Sequence, residues 1–209
     1  YIDTKHPIIM ENLMGIKRTN GSNQKGKKPL LINDLKALIQ AIHQSVEKDS
    51  RKSRDKAIVL IGFSGGFRRS ELVSIEYEDL EFVLEGVKIF VKRSKTDQSG
   101  EGMTKAIPYF ENLDFCPVIA LKNWIEISKI KKNKIFKISD KGVSLIIKKY
   151  ANLAGLDAQR YAGHSLRSGF ATSTAESGAE ERNIMAMTGH KSTEMVRRYI
   201  KEANLFKNN

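Results

Sequence analysis

The spacing of apolar residues changes twice along this chain, and the change limits the folds that the chain can adopt. From Leu35 to Val46 the apolar residues recur at helical intervals, whereas LEFVLEGVKIFVKRSK, residues 80–95, alternates apolar and polar side chains. From Pro117 onward the helical spacing returns, and three later segments end on glycine, a common helix C-cap. The sequence therefore predicts a mainly α-helical domain with one small antiparallel β-sheet, an α+β fold.

The alternating segment also indicates how the sheet is built. A turn at Glu85–Gly86 divides the segment into two runs, a pattern that is typical of a β-hairpin. TKAIPYF, residues 104–110, has the composition of a third strand. We expect these three runs to form the sheet.

The N-terminal stretch differs in composition from the rest of the chain. Its apolar residues have helical spacing up to Ile16, and five basic residues with no acidic one follow between Lys17 and Lys28. A stretch rich in Gly, Ser, Asn and Lys is typical of a solvated linker. We therefore expect residues 1–28 to be the tail of a preceding domain with its linker, and residues 29–209 to form a separate domain.

The chain carries a large positive charge. It has 36 Lys and Arg residues against 24 Asp and Glu residues, which gives a formal net charge of +12 and a pI of about 9.7. Nucleic acid is the most common polyanion that such a protein binds, because lysine and arginine neutralise its phosphates. A basic protein without a nucleic-acid partner is the alternative interpretation.

Two further features bear on where the protein works. The longest apolar run, Ala57–Phe63, is far shorter than the roughly 20 residues that span a bilayer. Cys116 is the only cysteine, so the chain can form neither an internal disulfide nor a cysteine metal cluster. A cytoplasmic location is the expectation, since that compartment keeps thiols reduced.

Six residues of types suited to phosphate chemistry stand in separate short motifs. Two are arginines, which bind phosphate oxygens bidentately and keep their charge at physiological pH. The others are two histidines, a lysine and a tyrosine, which can transfer protons or act as a nucleophile. In chain order the six are Arg68 in GGFRRSEL, Lys95 in RSKTDQ, His164 and Arg167 in GHSLRSGFAT, and His190 and Tyr199 in GHKSTEMVRRYI.

The order and local context of these residues resemble the tyrosine recombinase, or phage integrase, family. The family pattern is an arginine in G-[LM]-R-x-S-E-L, a lysine on a β-hairpin, H-x-x-R, a second histidine or tryptophan, and then a nucleophilic tyrosine. The resemblance covers roughly residues 29–206, and six matches in order are far more specific than any single motif. Phe67 is a departure, because the family usually has leucine or methionine there.

The resemblance implies a role for the tyrosine and the two arginines. Tyr199 is the expected nucleophile, which attacks a DNA phosphate. Arg68 and Arg167 are expected to clamp the non-bridging oxygens, where negative charge grows in the transition state. Glu71, in the same motif as Arg68, is interpreted as structural, holding the arginine or its turn.

The resemblance assigns the remaining three residues to proton transfer and phosphate binding. His164 is expected to accept or orient the tyrosine proton, and His190 to supply a third donor to the phosphate. Lys95 is the expected general acid for the leaving 5′-oxygen, chosen because it lies in the local sequence SKT. Other basic residues near the hairpin are Lys92, Arg93 and Lys105.

For the protein as a whole, the resemblance implies a site-specific DNA recombinase or integrase that works through a 3′-phosphotyrosine, without metal, ATP or another cofactor. The expected partners are double-stranded DNA with a specific recombination site and further copies of the chain, as a monomer when free and a tetramer on DNA. Residues 1–28 resemble the junction after the family's core-binding domain, and activity is expected on the nucleoid of a prokaryotic cell. Leu205 and Phe206, apolar residues in a polar tail, are candidates for contact with a neighbouring protomer.

Alternatives stay open for the residues and for the function. Taken alone, Arg68 can be a surface residue of a turn, His164 a helix cap, His190 a loop residue and Tyr199 a core aromatic. One alternative function is a type IB topoisomerase-like enzyme, which relaxes supercoils with no choice of sequence. The other is a catalytically silent DNA-binding module of the same fold.

Overall fold

The computed structural model describes residues 6–20, 26–92, 101–190 and 192–203. These residues form a mainly helical fold with one small antiparallel sheet, which confirms the predicted fold class. The helices, in chain order, are α1 (Pro7–Asn20), α2 (Ile32–Gln44), α3 (Asp49–Ser64), α4 (Arg69–Ser74), α5 (Pro117–Ser128), α6 (Asp140–Leu153), α7 (His164–Glu176), α8 (Glu181–Thr188) and α9 (Thr193–Ala203).

The sheet has the predicted hairpin and the predicted third strand. Both neighbouring pairs are antiparallel, and Ile89 of the central strand lies between Leu80 on one side and Lys105 on the other. The turn of the hairpin falls between Val83 and Gly86. In spatial order the strands are β1 (Leu80–Val83), β2 (Gly86–Val91) and β3 (Met103–Pro108).

Helix α3 lies at the centre of the main core. All residues from Ala57 to Ser64 are buried, because α3 packs against α2, α5 and α7. A second, smaller cluster joins α7, α8 and α9 and therefore holds the C-terminal helix in place. Its buried members are Ala171, Ala175, Ile184, Val196 and Tyr199.

Helix α1 exposes apolar residues. Ile8 is 62% exposed and Ile16 is 55% exposed, whereas Leu30, which begins the main core, is fully buried. The predicted domain division between residues 28 and 29 stays a prediction. In the part of the chain that the structure describes, no helix combines the length and the apolar character needed to cross a membrane.

The segment before α2 is fixed to the start of α7. The backbone N–H of Leu30 donates to the carbonyl oxygen of Ser165 at 2.9 Å. Gly169 permits this approach, because a Cβ at that position would lie 2.0 Å from the Leu30 carbonyl oxygen. The first half of α7, which carries two of the predicted site residues, is thereby held against the main core.

Candidate active site

Arg68 lies in the tight turn between α3 and α4. The turn includes Gly66, whose φ of 54° lies in the left-handed region that glycine adopts without strain. Arg68 Nη1 donates to Glu71 Oε1 at 2.6 Å, and the backbone N–H of Arg68 donates to Oε2 at 3.0 Å. Since Glu71 is only 2% exposed, this double contact fixes the arginine, in agreement with the structural interpretation of Glu71.

Arg167 is buried in the first turn of α7, where it is 1% exposed. Its Nη1 donates to the carbonyl oxygen of Gly66 at 2.9 Å, so both predicted arginines are anchored at one turn. Its Nη2 is buried and has no hydrogen-bond partner among the residues that the structure describes. A buried donor in this state is costly, and an oxygen of a bound phosphate is the kind of acceptor that satisfies it.

Burial is the largest cause that lowers the pKa of Arg167 to about 10, and the neighbouring charge of Arg68 contributes to the same shift. The guanidinium nevertheless stays protonated at neutral pH. Two permanent positive charges therefore lie side by side, with Glu71 as the carboxylate that offsets part of their charge. The arrangement favours a bound anion between the arginines.

His190 follows the end of α8. Gly189 ends the helix with φ of 63°, a left-handed cap, and its carbonyl oxygen accepts a hydrogen bond from Arg68 Nη2 at 3.2 Å. The same turn therefore directs His190 toward the arginines. His190 is half-buried, and its Nδ1 lies 2.7 Å from the hydroxyl oxygen of Thr188.

The contact with Thr188 determines which ring nitrogen of His190 carries the proton. Thr188 Oγ1 also lies 2.6 Å from the carbonyl oxygen of Ile184, which can only accept. Because a hydroxyl has one proton, Thr188 donates it to Ile184 and must accept from His190 Nδ1–H. In the neutral imidazole, Nε2 is then the nitrogen with the free lone pair.

Both predicted histidines are neutral near pH 7. Burial, followed by the charges of Arg167 and Arg68, lowers the pKa of His190 to about 4. His164 stands at the start of α7 and is exposed overall, yet partial desolvation lowers its pKa, and the charges of Arg167, Arg69 and Arg68 add to this. Two neutral imidazoles beside two guanidiniums can each accept a proton.

Tyr199 lies on α9 and is only 6% exposed. Its ring packs in the second cluster, and the ring centroid lies 6.1 Å from that of His190 at an interplanar angle of 44°. Tyr199 also interacts electrostatically with Arg167. The tyrosine is therefore both a core aromatic and a neighbour of the arginines, so the two interpretations from the sequence do not exclude each other.

Lys95 lies outside the described residues, as do Leu205 and Phe206. The structure does describe two other basic residues of the sheet. Lys92 forms ion pairs with Glu76 and Asp79, and these carboxylates raise its pKa, so it is a poor proton donor. Lys105 is fully buried and donates to the carbonyl oxygens of Gly65 and Met187.

Two residues near the site were not assigned to it from the sequence. Thr188 is recognisable only once its distance to His190 is known. Lys105 had a visible sign, because strand alternation places it on the same face as the inward-pointing Met103 and Ile107. A lysine at an inward position of a strand is uncommon, and it indicates that the ammonium group has polar partners inside the protein.

Comparison with known proteins places the chain in a family. The sequence model of the phage integrase family matches residues 29–205. The integrase/recombinase xerD homolog of Selenomonas ruminantium is 44% identical over 217 aligned positions, which cover 98% of this chain and 63% of the relative. Tyrosine recombinase XerA of Pyrococcus horikoshii is 29% identical over 185 positions, with 85% and 61% coverage. The chain therefore spans less than two thirds of the length of these relatives.

Solved structures agree on the fold. The crystal structure of XerA recombinase has a TM-score of 0.67 and 19% identity, and the match covers 100% of this chain and 77% of that one. XerH site-specific recombinase, in a pre-cleavage complex with difH substrate, has a TM-score of 0.68 and 17% identity, with 97% and 64% coverage. Together with the sequence match over residues 29–205, which takes in the site described above, these findings show that the chain belongs to the phage integrase family.

Proposed function

We propose that this chain is the catalytic part of a site-specific DNA recombinase that cleaves and rejoins strands through a bond between Tyr199 and a 3′-phosphate. The observation that carries the proposal is the buried Arg167, whose Nη2 lacks a partner among the described residues and which interacts with Arg68 and Tyr199. Family membership and the names of the relatives, integrase and tyrosine recombinase, support the same activity.

The two arginines would stabilise the transition state of phosphoryl transfer. Attack on a phosphodiester gathers negative charge on the non-bridging oxygens, and fixed guanidiniums next to them need no reorganisation. Arg68 and Arg167 are fixed by Glu71 and by the Gly66 carbonyl respectively. Arg167 Nη2, which has no hydrogen-bond partner among the described residues, can face the phosphate.

The nucleophile is the phenol oxygen of Tyr199. It forms a bond to phosphorus while the bond from phosphorus to the 5′-oxygen breaks, and its proton passes to the neutral His164. The 5′-oxygen takes up a proton from Lys95. The product is a 3′-phosphotyrosine, which conserves the energy of the bond so that a 5′-hydroxyl of another strand can reverse the reaction.

His190 would supply the third donor to the phosphate only after it gains a proton. In the structure Nδ1–H is committed to Thr188, which leaves Nε2 as the nitrogen available to a substrate. A bound phosphate offsets the arginine charges that lower the pKa of His190. Protonated Nε2–H can then donate to a non-bridging oxygen.

The assignment of the general acid to Lys95 is supported by the surroundings of its rivals. Lys92 is held by two carboxylates that favour its charged form. Lys105 is fully buried, and its nitrogen is engaged by two backbone carbonyls. Neither side chain is available to a leaving oxygen, which supports the choice of Lys95 over these two lysines.

A basic pocket beside α9 is a candidate contact for the DNA backbone. It has a volume of about 520 Å³ and lies next to the helix that carries Tyr199. Its cationic side chains can neutralise phosphates of a bound DNA backbone. They are Lys27, Lys28, Arg160 and Arg198.

Assembly as a tetramer on DNA is part of the proposal. An apolar groove of about 610 Å³ lies between α2, α7 and β3, lined among others by Ile32, Phe63, Phe110 and Phe170. We assign it to Leu205 and Phe206 of a neighbouring copy, two apolar residues that follow α9 in the sequence. Aspartate at both positions is then expected to remove the larger protein–DNA complexes in a gel shift and leave the first bound complex. Equal loss of all complexes contradicts this assignment.

The experiment that tests the proposed function uses the full-length protein that contains this chain. It is incubated with a library of duplexes that have a randomised core and staggered nicks, so that the cleaved strand cannot be rejoined. Adducts that survive denaturing detergent are recovered and their DNA is sequenced. We expect adducts on one preferred sequence, linked through the 3′ end, with the wild type and with Tyr77→Phe but none with Tyr199→Phe.

The same experiment separates the alternatives. Adducts without sequence preference, together with relaxation of any supercoiled plasmid, indicate a type IB topoisomerase-like enzyme. DNA binding with no adduct indicates a silent binding module. Either result contradicts the proposed function.

A further inference from the structure

The lysine on the inner face of β3 has surroundings that are unusual for a charged residue. Lys105 is fully buried, between the inward-pointing Met103 and Ile107 of the same strand. Its nitrogen donates to the carbonyl oxygen of Gly65 at 2.7 Å and to the carbonyl oxygen of Met187. A buried lysine costs stability unless its polar end has partners, and here the hydrogen-bond partners are backbone carbonyls.

The aromatic ring of Phe67 completes the environment of Lys105. The nitrogen lies 4.7 Å from the ring centroid, a cation–π distance. Gly65 makes room for this ring, because a Cβ there would lie 2.2 Å from a Phe67 ring atom. The phenylalanine that departs from the usual leucine or methionine of the family therefore contributes to the lysine site.

Both carbonyls that Lys105 binds lie next to residues that hold the catalytic side chains. Gly65 is followed by Gly66, whose carbonyl oxygen anchors Arg167. Met187 is followed by Thr188, which binds His190, and then by Gly189, whose carbonyl oxygen anchors Arg68. One ammonium group thus connects the turn after α3 with the last turn of α8.

We propose that Lys105 is a positioning residue of the active site, which sets the distance between the α3–α4 turn and the end of α8 and so aligns Arg167, Arg68 and His190 on one phosphate. The effect on catalysis rests on the proposed function, whereas the effect of Lys105 on the distance between the two segments does not depend on it. Lys105 is not expected to touch the phosphate, because its side chain is fully buried and its nitrogen is bound to two carbonyl oxygens.

Hydrogen bonding to carbonyls suits this role for an electrostatic reason. If a carboxylate were the partner of Lys105 in place of a carbonyl, its negative charge would reduce the positive field that binds the phosphate. Burial is the largest cause that lowers the pKa of Lys105 to about 7; the charge of Glu71 opposes this shift, and the charges of Arg167 and Arg68 add to it. The neutral amine keeps two N–H groups, so both carbonyl bonds persist on either side of that pKa.

The catalytic test compares three substitutions of Lys105 in the full-length protein, on the duplex that the adduct selection yields. Lys105→Met is expected to slow adduct formation about 100-fold, the effect of a small misplacement of catalytic groups, with DNA affinity little changed. Lys105→Gln, which reaches one carbonyl at most, is expected to fall between the wild type and Lys105→Met. Lys105→Arg, which can donate to both carbonyls, is expected to recover most of the rate. Lys88→Met is the matched control, because Lys88 is an exposed lysine of the same sheet.

A second readout does not depend on the reaction. Without DNA, the NMR resonances of the Arg167 Nε–H and of the His190 ring are expected to shift in Lys105→Met and to stay in place in Lys88→Met. Unchanged resonances overturn the positioning role, whether or not the wild type forms an adduct. Adduct formation at the wild-type rate by Lys105→Met also overturns it. The same holds if Lys105→Met and Lys105→Arg lose equal amounts of adduct-forming rate and both have a lowered unfolding temperature. If Lys105→Met does not fold, Lys105→Gln and Lys105→Arg decide between the same outcomes.

Discussion

The hydroxyl oxygen of Thr188 lies 2.7 Å from Nδ1 of His190 and accepts a hydrogen bond from Nδ1–H. Thr188 is fully buried in the last turn of α8, so a helix end determines the protonation pattern of a residue in the site. As a consequence, the second ring nitrogen, Nε2, carries no proton in the neutral imidazole and has a free lone pair.

Replacement of Thr188 by valine is expected to release this constraint. Thr188→Val keeps the shape of the side chain but removes the oxygen, so that His190 populates both neutral tautomers. Adduct formation is expected to fall about 10-fold, since general acid–base groups must present the correct nitrogen. Nitrogen chemical shifts of the His190 ring report the tautomer directly.

Thr172→Val is the matched control for that substitution. Thr172 is another buried threonine, and its hydroxyl has no hydrogen-bond partner among the described residues. Its replacement is expected to leave the tautomer and the rate unchanged, and Thr188→Ser is expected to keep the wild-type tautomer. A single Nδ1–H tautomer in Thr188→Val means that another group fixes the ring.

DNA binding is expected to draw a proton onto His190. The pKa of about 4 in the DNA-free protein reflects burial first and then Arg167, Arg68, His164 and Lys105. A bound phosphate raises this pKa, so protons favour the complex and affinity rises as the pH falls from about 7 to about 5, at most about 10-fold per pH unit for one proton. Fluorescence anisotropy measures the affinity across this range.

The control for the pH effect is His190→Gln. The other titratable groups near the site are the same in both proteins, so the difference between the two pH profiles belongs to His190. Profiles of equal slope show that the histidine does not gain a proton in the complex.

Glu71 is expected to matter through Arg68. Glu71→Gln keeps the shape of the side chain but removes the charge that holds Nη1 at 2.6 Å. The loss of a buried charged partner is expected to reduce stability by about 1–3 kcal/mol and to slow adduct formation about 10-fold. Urea unfolding and single-turnover cleavage measure the two effects. Glu81→Gln, at the exposed pair with Lys88, should change neither, and a Glu71→Gln variant with wild-type cleavage contradicts the account.

The general acid can be identified with a DNA whose leaving group needs no proton, because such a DNA restores cleavage by a variant that lacks the acid. Lys95→Met is expected to cleave ordinary DNA about 100-fold more slowly, and to cleave DNA with a bridging 5′-sulfur at the wild-type rate. A thiolate leaves without being protonated, so it has no need of the lysine. Lys92→Met serves as the control, because Lys92 is bound by Glu76 and Asp79. If the 5′-sulfur restores cleavage by Lys92→Met and not by Lys95→Met, the assignment of Lys95 as the general acid is wrong.

Much of the fold was predictable because the local patterns agree with the tertiary structure. The alternation around Glu85–Gly86 predicted the hairpin that β1 and β2 form. The glycine after Thr188 predicted the end of α8, since only a residue that tolerates positive φ continues the chain in that direction. These features depend on a few neighbouring residues and so are visible in the sequence.

The sequence singled out side chains that the structure brings close together, but not the groups that hold them in place. Arg68, Arg167 and the two histidines were identified by motif, whereas their anchors are backbone carbonyls, which every residue has and no motif marks. The burial of Lys105 depends on contacts with residues 40 and 82 positions away in the chain. Distances of this kind follow from the tertiary packing and cannot be read from local spacing.

The most direct test of the account is to locate the protein end of the covalent bond to DNA. The adduct from the selected duplex is digested with a protease and a nuclease, and the modified peptide is sequenced by mass spectrometry. The account predicts a nucleotide 3′-phosphate on Tyr199, in the peptide that follows His190, and its complete absence from Tyr199→Phe. A modification on any other residue, or an adduct that persists in Tyr199→Phe, contradicts the assignment of Tyr199 as the nucleophile.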